Sequence, residues 1–314
     1  MASRFSQALR ISRTFTFRRA WNAVRVWSGY RYSRLTKKPV QWGLPISISI
    51  EPTTSCNLRC PECPSGLRQF SRPTGMLDEK FFRDTIDKLA PHLSYLTFYF
   101  QGEPYLNPKF LDMVDYAASK KIYTSTSTNA HYLDDETAKR TVESGLEKLI
   151  ISIDGTTQET YSFYRVGGKL EKVIEGTKNV IRWKKQLRSV TPHLAFQFLV
   201  LKQNEHQLKE VKALAAKLGV DEVLVKTAQV YDFENGNELI PDNKDHSRYV
   251  KGADGKWRNK NKLEDHCWRM WHSCVITWDG GVVPCCFDKD GSHRFRSEEH
   301  TSELQSPYVI SYAV

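Results

Sequence analysis

Residues 46–66 read ISISIEPTTSCNLRCPECPSG, and the order of features within this stretch indicates the fold. Its first part, 46–53, alternates apolar and small polar residues and predicts a β-strand. Cys56, Cys60 and Cys63 follow directly, separated by three residues and then by two. The strand therefore delivers three thiols to the loop at its carboxyl end. No fourth Cys or His follows closely, whereas a tetrahedral metal site requires four ligands.

The same strand-then-helix pattern recurs along the chain and predicts an α/β fold. Short apolar stretches alternate with amphipathic ones, and the predicted strands are 46–53, 95–100, 122–128, 148–154, 193–201 and 222–230. Helices fill the intervals, and the helix at 78–90 begins with Asp78 as its cap. Six such repeats favour a parallel sheet that right-handed crossovers curl into a partial (β/α)6, TIM-like barrel with an open side. In such folds the chemistry lies at the carboxyl ends of the strands.

The seven cysteines fall into two groups, 56–63 and 267–286, and the 203 residues between the groups contain none. Structural disulfides would not usually cluster in this way in a chain without a secretory signal pattern, so we expect two metal or cluster sites in a reducing, cytoplasmic setting. Three thiolates from one loop can hold three irons of a [4Fe–4S] cube and leave the fourth iron to a non-protein ligand. A zinc site is the alternative, although it would more often close with a fourth Cys or His.

The first cysteine group has a specific resemblance. CNLRCPEC, residues 56–63, is similar to the Cx3Cx2C motif of the radical S-adenosylmethionine (SAM) enzymes. In that family the amine and carboxylate of SAM chelate the fourth iron, and an electron from the cluster cleaves the sulfonium to a 5′-deoxyadenosyl radical. Residues 101–104, QGEP, resemble the family's GGEP motif with Gln in place of the first Gly. The resemblance implies a close backbone approach and a carboxylate for the SAM ammonium, from Gly102, Glu103 and Pro104.

Polar residues at the ends of the next two strands extend the resemblance, which covers residues 46 to about 230. STSTNAH (125–131) follows the third strand, ISIDG (151–155) the fourth, and FYRVGG (163–168) comes after it. By resemblance these stretches supply polar contacts to SAM, contacts to its ribose, and an arginine for its carboxylate. The residues concerned are Ser127, Asn129, Ser152, Asp154 and Arg165. A structural role at a strand end is the alternative for each of them.

The second cysteine group lies in a small module predicted at 266–295, with a β-hairpin that turns at Asp279-Gly280-Gly281. The spacing from Cys267 through Gly280 to Cys285 resembles the opening of a SPASM or twitch domain, which holds auxiliary iron–sulfur clusters in peptide-modifying radical SAM enzymes. The resemblance implies an auxiliary cluster whose ligand set is incomplete here: Cys267, Cys285 and, as a further candidate, Cys274. We predict that Cys286 is a buried thiol. A zinc knuckle built from the four cysteines is the alternative.

The chain is basic only at its start. Residues 1–50 hold ten of the 46 Lys and Arg and none of the 36 Asp and Glu, so the other 264 residues carry 36 of each sign. Within a predicted N-terminal arm at 1–45, Phe17, Trp21, Val24 and Trp27 recur at helical spacing with arginines between them. Such a helix, within residues 1–38, suits an anionic membrane surface or an acidic partner. Packing on the main domain with a solvated basic edge is one alternative, and an organelle transit peptide, which an Arg-rich and acid-free start resembles, is another.

The predicted core at 46–230 is followed by two segments without clear periodicity. Residues 231–265 are polar, and we expect a linker there. Residues 296–314, RSEEHTSELQSPYVISYAV, resemble the in-frame translation of a sequencing adapter. We therefore expect the natural sequence to depart from the present one after about Phe295, which would truncate the SPASM-like module.

Two classes of function fit these features. The first is a radical SAM enzyme that modifies a peptide, a protein or another bulky substrate, with small-molecule tailoring as a variant. Its electron donor, by resemblance, would be a reductant such as flavodoxin or ferredoxin. The second is a zinc-bearing, nucleic-acid-binding protein with a basic arm. The βα repeats contain no familiar nucleic-acid-binding motif, so we favour the enzyme and expect no nucleic-acid partner.

Overall fold

A computed structural model of the chain describes residues 10–12, 14–261 and 266–295. Within these ranges the strands are β1 (Ser47–Ile50), β2 (Tyr95–Phe98), β3 (Tyr123–Thr128), β4 (Lys148–Ser152), β5 (His193–Val200), β6 (Glu222–Thr227), β7 (Tyr249–Lys251), β8 (Trp257–Asn259), β9 (Ser273–Ile276) and β10 (Val282–Val283). The helices are α1 (Phe17–Thr36), α2 (Pro64–Leu67), α3 (Glu79–Leu89), α4 (Phe110–Ser119), α5 (Asp135–Glu143), α6 (Gln158–Tyr164), α7 (Leu170–Gln186), α8 (Leu208–Leu218) and α9 (Trp268–His272). Two 3₁₀ turns span Pro104–Leu106 and Glu205–Gln207.

Strands β1 to β6 lie side by side in chain order and are parallel, with helices between them. This arrangement confirms the predicted α/β fold with a partial barrel. Alternate residues of β1, Ile48 and Ile50, are buried against helix residues such as Phe82 and Ile86 of α3. Asp78 caps α3 as predicted, and its side chain accepts a hydrogen bond from the Phe81 amide at 2.8 Å. Most strands end two or three residues before their predicted ends because the chain there turns into the loops that carry polar side chains.

The cysteine-bearing hairpin continues the core sheet. β9 pairs in parallel with β1, with Cys274 opposite Ile48, and β10 returns antiparallel to β9. The turn forms at the predicted place, where Gly280 has φ +81° and the Thr277 amide donates to the Gly281 carbonyl at 2.8 Å. The free edge of the barrel at β1 is therefore covered by a strand from a segment more than 220 residues away in sequence.

The segment predicted as a linker is structured in its described part, 231–261. It contains the hairpin of β7 and β8, and it buries Leu239, Ile240 and Tyr249 against Leu58 of the cysteine loop. The Tyr249 hydroxyl donates to the Val230 carbonyl at 2.9 Å. Isolated apolar residues without periodicity give no local signal of such packing. This segment thus forms part of the wall beside the cysteines.

Helix α1 packs on the main domain through a face that combines polar residues with Val26 and Tyr30. Arg19, only 3% exposed, donates hydrogen bonds to the carbonyls of Ala90 (2.9 Å), Lys120 (2.9 Å) and Lys121 (2.5 Å), at the ends of α3 and α4. Carbonyls at the last turn of a helix have no partner within the helix, and a guanidinium satisfies several of them at once. The apolar residues of the predicted stripe lie on the opposite side and are exposed.

Candidate functional site

A cavity of about 560 Å³, open to solvent, lies at the carboxyl ends of the parallel strands. Its wall brings together most of the predicted site residues: Cys56, Cys60, Cys63, Gly102, Glu103, Ser127, Asn129, Ser152 and Arg165. Pro104 and Asp154 are not part of this wall. Pro104 instead begins the 3₁₀ turn that follows Glu103.

The cysteine loop is compact, with Cys60 buried and Cys56 and Cys63 partly buried. A side chain at Gly66 would meet the Cys60 amide nitrogen at 2.5 Å, so the loop closes tightly at this glycine. The Leu58 amide donates to the Cys56 sulfur at 3.4 Å. Burial, with smaller contributions from Glu103 and the neighbouring thiols, raises the pKa of Cys56 to about 11. Thiolates at this position therefore need a positive partner, which iron would supply.

The three thiols of this loop all line the same cavity. Among the described residues, no three Cys, His, Asp or Glu side chains are grouped so as to hold one metal ion. Three thiols in one cavity beside free space are the donor set of a three-cysteine [4Fe–4S] site.

Gly102 brings the backbone of the QGEP turn against the cysteine loop. Its φ is +74°, and a side chain there would meet the Thr53 carbonyl oxygen at 2.2 Å. Only glycine tolerates both the conformation and the contact. The next amide, of Glu103, donates to the Ser55 carbonyl at 2.7 Å, which fixes the carboxylate that follows.

The Glu103 carboxylate is 2% exposed and is held from both sides. One oxygen accepts from the Thr128 hydroxyl at 2.7 Å, and the other accepts from the Asn129 amide at 2.8 Å. Burial raises its pKa to about 7, against the lowering effect of these two hydrogen bonds. The side chain still lines the cavity, so it can accept a further donor from a ligand there.

Gln101, which replaces the first glycine of the motif, has a structural role. Its side-chain oxygen accepts from the Ser65 hydroxyl at 3.1 Å, and the same hydroxyl accepts from the Gly102 amide at 2.8 Å. Ser65 belongs to α2, which begins directly after Cys63. Gln101 therefore ties the turn after β2 to the cysteine loop, and glycine would lack this contact.

Asp154 lies behind the cavity. Its carboxylate is fully buried and accepts from the Arg165 guanidinium at 2.5 Å and from the Leu199 amide at 2.7 Å. Both oxygens therefore have protein partners, and the expected contact of Asp154 with the ribose stays a prediction. Arg165 instead extends from Asp154 to the cavity, where it donates to the Cys60 sulfur at 3.8 Å. Asp154 positions the arginine.

Several residues of the cavity wall were missed by the motif comparison: Ser65, Tyr99, Thr128 and Gln197. Gln197 had a usable signal, because it is the one amide in the otherwise apolar stretch LAFQFLVL of the fifth predicted strand. A polar residue within such a strand indicates either a buried hydrogen bond or a ligand contact. Tyr99 also had one, since it follows β2 directly at the active end of the sheet.

The four later cysteines share a second, smaller cavity of about 300 Å³ beside β1 and β9. Cys267, Cys274, Cys285 and Cys286 all line it, so Cys286 lies with the candidate ligands and is half-buried. Burial raises the pKa of the Cys274 thiol to about 12. The pKa of Cys286 is lowered, because its sulfur accepts a hydrogen bond from Cys285 and faces Arg269 and Lys289. This cavity gathers the thiols that an auxiliary cluster would need.

Comparison with known proteins identifies the family. Residues 50–215 match the radical SAM superfamily. The chain belongs to this superfamily. Residues 267–306 match the SPASM iron–sulfur cluster-binding domain, a match that extends into 296–314, the segment predicted to be foreign, which lies outside the described residues. The protein is therefore a SAM-dependent iron–sulfur enzyme that uses a [4Fe–4S] cluster and SAM, and the SPASM domain implies auxiliary clusters.

Two relatives with different named functions are similar to this chain. The tungsten-containing aldehyde ferredoxin oxidoreductase cofactor-modifying protein of Pyrococcus furiosus is 27% identical over 255 residues, which is 76% of this chain and 70% of that protein. The mycofactocin maturase MftC of Mycobacterium ulcerans is 29% identical over 175 residues, 56% of this chain and 45% of that protein. The chain thus spans less than half the length of this maturase.

A solved structure with the same fold is that of SuiB from Streptococcus suis. SuiB bound to S-adenosylmethionine superposes with a TM-score of 0.64 at 14% identity, over 87% of this chain and 67% of SuiB. SuiB bound to the precursor peptide SuiA gives a TM-score of 0.61 at 12% identity, over 88% of this chain and 66% of SuiB. The likeness confirms the partial-barrel fold.

The contact at Gly102 predicts an unusually costly substitution. Gly102→Ala should lower the free energy of unfolding by more than about 3 kcal/mol, because it combines an unfavourable φ with a clash against the Thr53 carbonyl. Gly219→Ala is the matched control, since Gly219 has φ +86° and nothing within 4 Å of the added carbon. The control should cost only about 1 kcal/mol. Equal losses in urea unfolding of the two variants would contradict the close contact.

Proposed function

We propose that this enzyme modifies a peptide or protein substrate by radical chemistry in the cavity at the carboxyl ends of the strands. The supporting observation is that three cysteines of one loop share a cavity with the polar ends of β2, β3 and β4. When bound there, the cluster and SAM supply a 5′-deoxyadenosyl radical. The protein's own task is to hold the two groups, orient them and keep a substrate within reach.

Each side chain has a proposed part in this task. Cys56, Cys60 and Cys63 would ligate the cluster, and the charged Glu103 carboxylate would accept a hydrogen bond from the SAM amino group. Arg165, held by Asp154, would meet the SAM carboxylate. Ser127, Asn129 and Ser152 line the same wall and offer further polar contacts, with Gly102 as the point of close backbone approach. In the second cavity, Cys267, Cys274, Cys285 and Cys286 would hold an auxiliary cluster.

The substrate class is proposed from the relatives. SuiB has been solved with a precursor peptide, and MftC is a maturase. The barrel of the present chain is open on one side, which leaves space for a chain-like substrate. The Pyrococcus relative is named as modifying a cofactor, so a small molecule is the competing substrate class.

The proposal is tested by asking which fraction of a cell extract stimulates the enzyme. We expect the peptide and protein fraction to increase 5′-deoxyadenosine formation by anaerobically reconstituted enzyme, measured by liquid chromatography and mass spectrometry. Pretreatment of that fraction with a protease that is then removed should abolish the increase. Stimulation by the metabolite fraction alone, or stimulation that survives proteolysis, would assign a small molecule.

The ligands of the first cluster are tested by electron paramagnetic resonance (EPR). In dithionite-reduced protein, Cys56→Ala, Cys60→Ala and Cys63→Ala should each abolish the [4Fe–4S]⁺ signal that changes on addition of SAM, because each removes one iron ligand. Cys285→Ala is the matched control: it removes a thiol from the second cavity and should retain the SAM-responsive signal. A SAM-responsive signal in any of the first three variants would contradict the assignment of that cysteine as a cluster ligand.

Glu103 gives SAM binding a pH dependence of predictable sign. Because burial raises the pKa of Glu103 to about 7, its carboxyl becomes protonated as the pH falls through 7 and loses the charge that strengthens its hydrogen bond to the SAM amino group. We expect SAM affinity to fall roughly tenfold between pH 8 and pH 6, by equilibrium dialysis at constant cluster content. Glu103→Gln should bind weakly and without this pH dependence, whereas the exposed Glu159→Gln should behave like the unmodified protein. A Glu103→Gln variant with unchanged affinity would refute the role.

A further inference from the structure

Helix α1 presents an exposed apolar face along its whole length. The outer face consists of Phe17, Trp21, Val24, Trp27, Tyr32 and Leu35, which are between 42% and 86% exposed. A helix of 20 residues is about 30 Å long, so these side chains form an extended ridge. Trp42 lies beside the ridge, with its ring 5.3 Å from that of Tyr32. Exposed apolar surface of this extent usually marks an interaction site.

The ridge does not pack on the main domain, because the opposite face of α1 makes those contacts. Arg19 binds the ends of α3 and α4, and Asn22 exchanges two hydrogen bonds of 2.9 Å with the backbone of Leu44. Val26 and Tyr30 are buried against Trp271 of α9. Rotating the apolar residues inward would break all of these contacts. The helix is therefore held with its outer face toward solvent.

The charges around the ridge have one sign. Arg18, Arg25, Arg31 and Arg34 are exposed on α1, and Lys37 and Lys38 follow its end. Residues 1–50 contain no Asp or Glu, so nothing on this segment neutralises them locally. The Arg31 guanidinium lies over the Trp27 ring, 5.9 Å from its centroid. Apolar and cationic groups are thus interleaved along the same surface.

We propose that α1 docks this enzyme in the plane of an anionic lipid surface. Tryptophan, tyrosine and phenylalanine rings insert at the headgroup level, while arginine and lysine side chains pair with lipid phosphates. No described helix has the length and apolar character to cross a bilayer, which leaves the in-plane mode. A convex ridge with uniform positive charge suits a broad anionic surface better than the shaped pocket that a single protein partner would require.

The docking leaves the cavity accessible. The carbonyls that Arg19 binds, on Ala90, Lys120 and Lys121, lie just before β2 and β3 begin. Helix α1 therefore sits near the amino ends of these two strands, whereas Cys56, Cys60, Cys63 and Glu103 lie beyond the carboxyl ends. A lipid-bound enzyme would turn its cavity away from the surface, toward the soluble phase.

Vesicle flotation of the full chain tests the proposal. Phosphatidylcholine vesicles containing about 30% phosphatidylglycerol should carry the protein to the top of the gradient, and pure phosphatidylcholine vesicles should carry much less. Trp21→Ser/Trp27→Ser should lose most of the binding. Arg18→Gln/Arg25→Gln/Arg31→Gln should weaken it by roughly fivefold for each charge removed. All five side chains are exposed, so the variants should melt like the unmodified protein.

Two control variants remove the same kinds of group elsewhere. Leu187→Ser/Val190→Ser takes exposed apolar side chains from the end of α7, and Lys209→Gln/Lys212→Gln/Lys217→Gln takes three charges from α8. Both should float like the unmodified protein. Equal losses in these controls, or no flotation on anionic vesicles, would overturn the proposal. So would a dimer in size-exclusion chromatography that Trp21→Ser/Trp27→Ser dissolves, which would make a second copy the occupant of the ridge.

Discussion

The buried ion pair between Glu51 and Arg72 is the constraint on which both cysteine sites depend. Glu51 is 0% exposed at the end of β1, and the Arg72 guanidinium meets it with two hydrogen bonds of 2.6 and 2.8 Å. The 20 residues between the partners include all three cluster cysteines. Arg72 also donates to the Lys289 carbonyl at 2.8 Å, and the Trp278 amide donates to Glu51 at 3.3 Å. A buried charge left without its partner is strongly destabilising, so the loss of either Glu51 or Arg72 alone would disturb both contacts.

The same pair explains how the two sites are held together. The first cavity lies just beyond the end of β1, and the second includes Ser49 within β1 together with cysteines of the SPASM-like segment. The pairing of β9 with β1 aligns the two backbones. Arg72 adds a side-chain link, because it binds both Glu51 after β1 and the Lys289 carbonyl of the SPASM-like segment. The module is thus an extension of the barrel. Strand β1 therefore positions both the cysteines of the module and those of the first loop.

Local features of the sequence predicted the barrel well, because alternation, helix caps and cysteine spacing are all set by neighbouring residues. Features that depend on distant residues could not be predicted in the same way. The pairing of β9 with β1 leaves no trace in either segment alone. Asp154 shows the limit at a single position: β4 ends at Ser152, so the alternation that would place both side chains in the cavity no longer holds, and Arg165 takes the carboxylate instead.

Helix α1 shows that periodicity predicts a helix more securely than it predicts which face is buried. The apolar spacing of Phe17, Trp21 and Val24 is that of a core-facing stripe, yet the buried face is formed by Arg19, Asn22 and Ser33 among others. These polar residues are favoured inward because the surface beneath α1 offers unpaired carbonyls and amides at helix ends and in the following loop. Satisfying buried backbone groups outweighs burying three apolar side chains here. The apolar ridge is left outside as a consequence of that balance, and its arginines determine which surfaces can cover it.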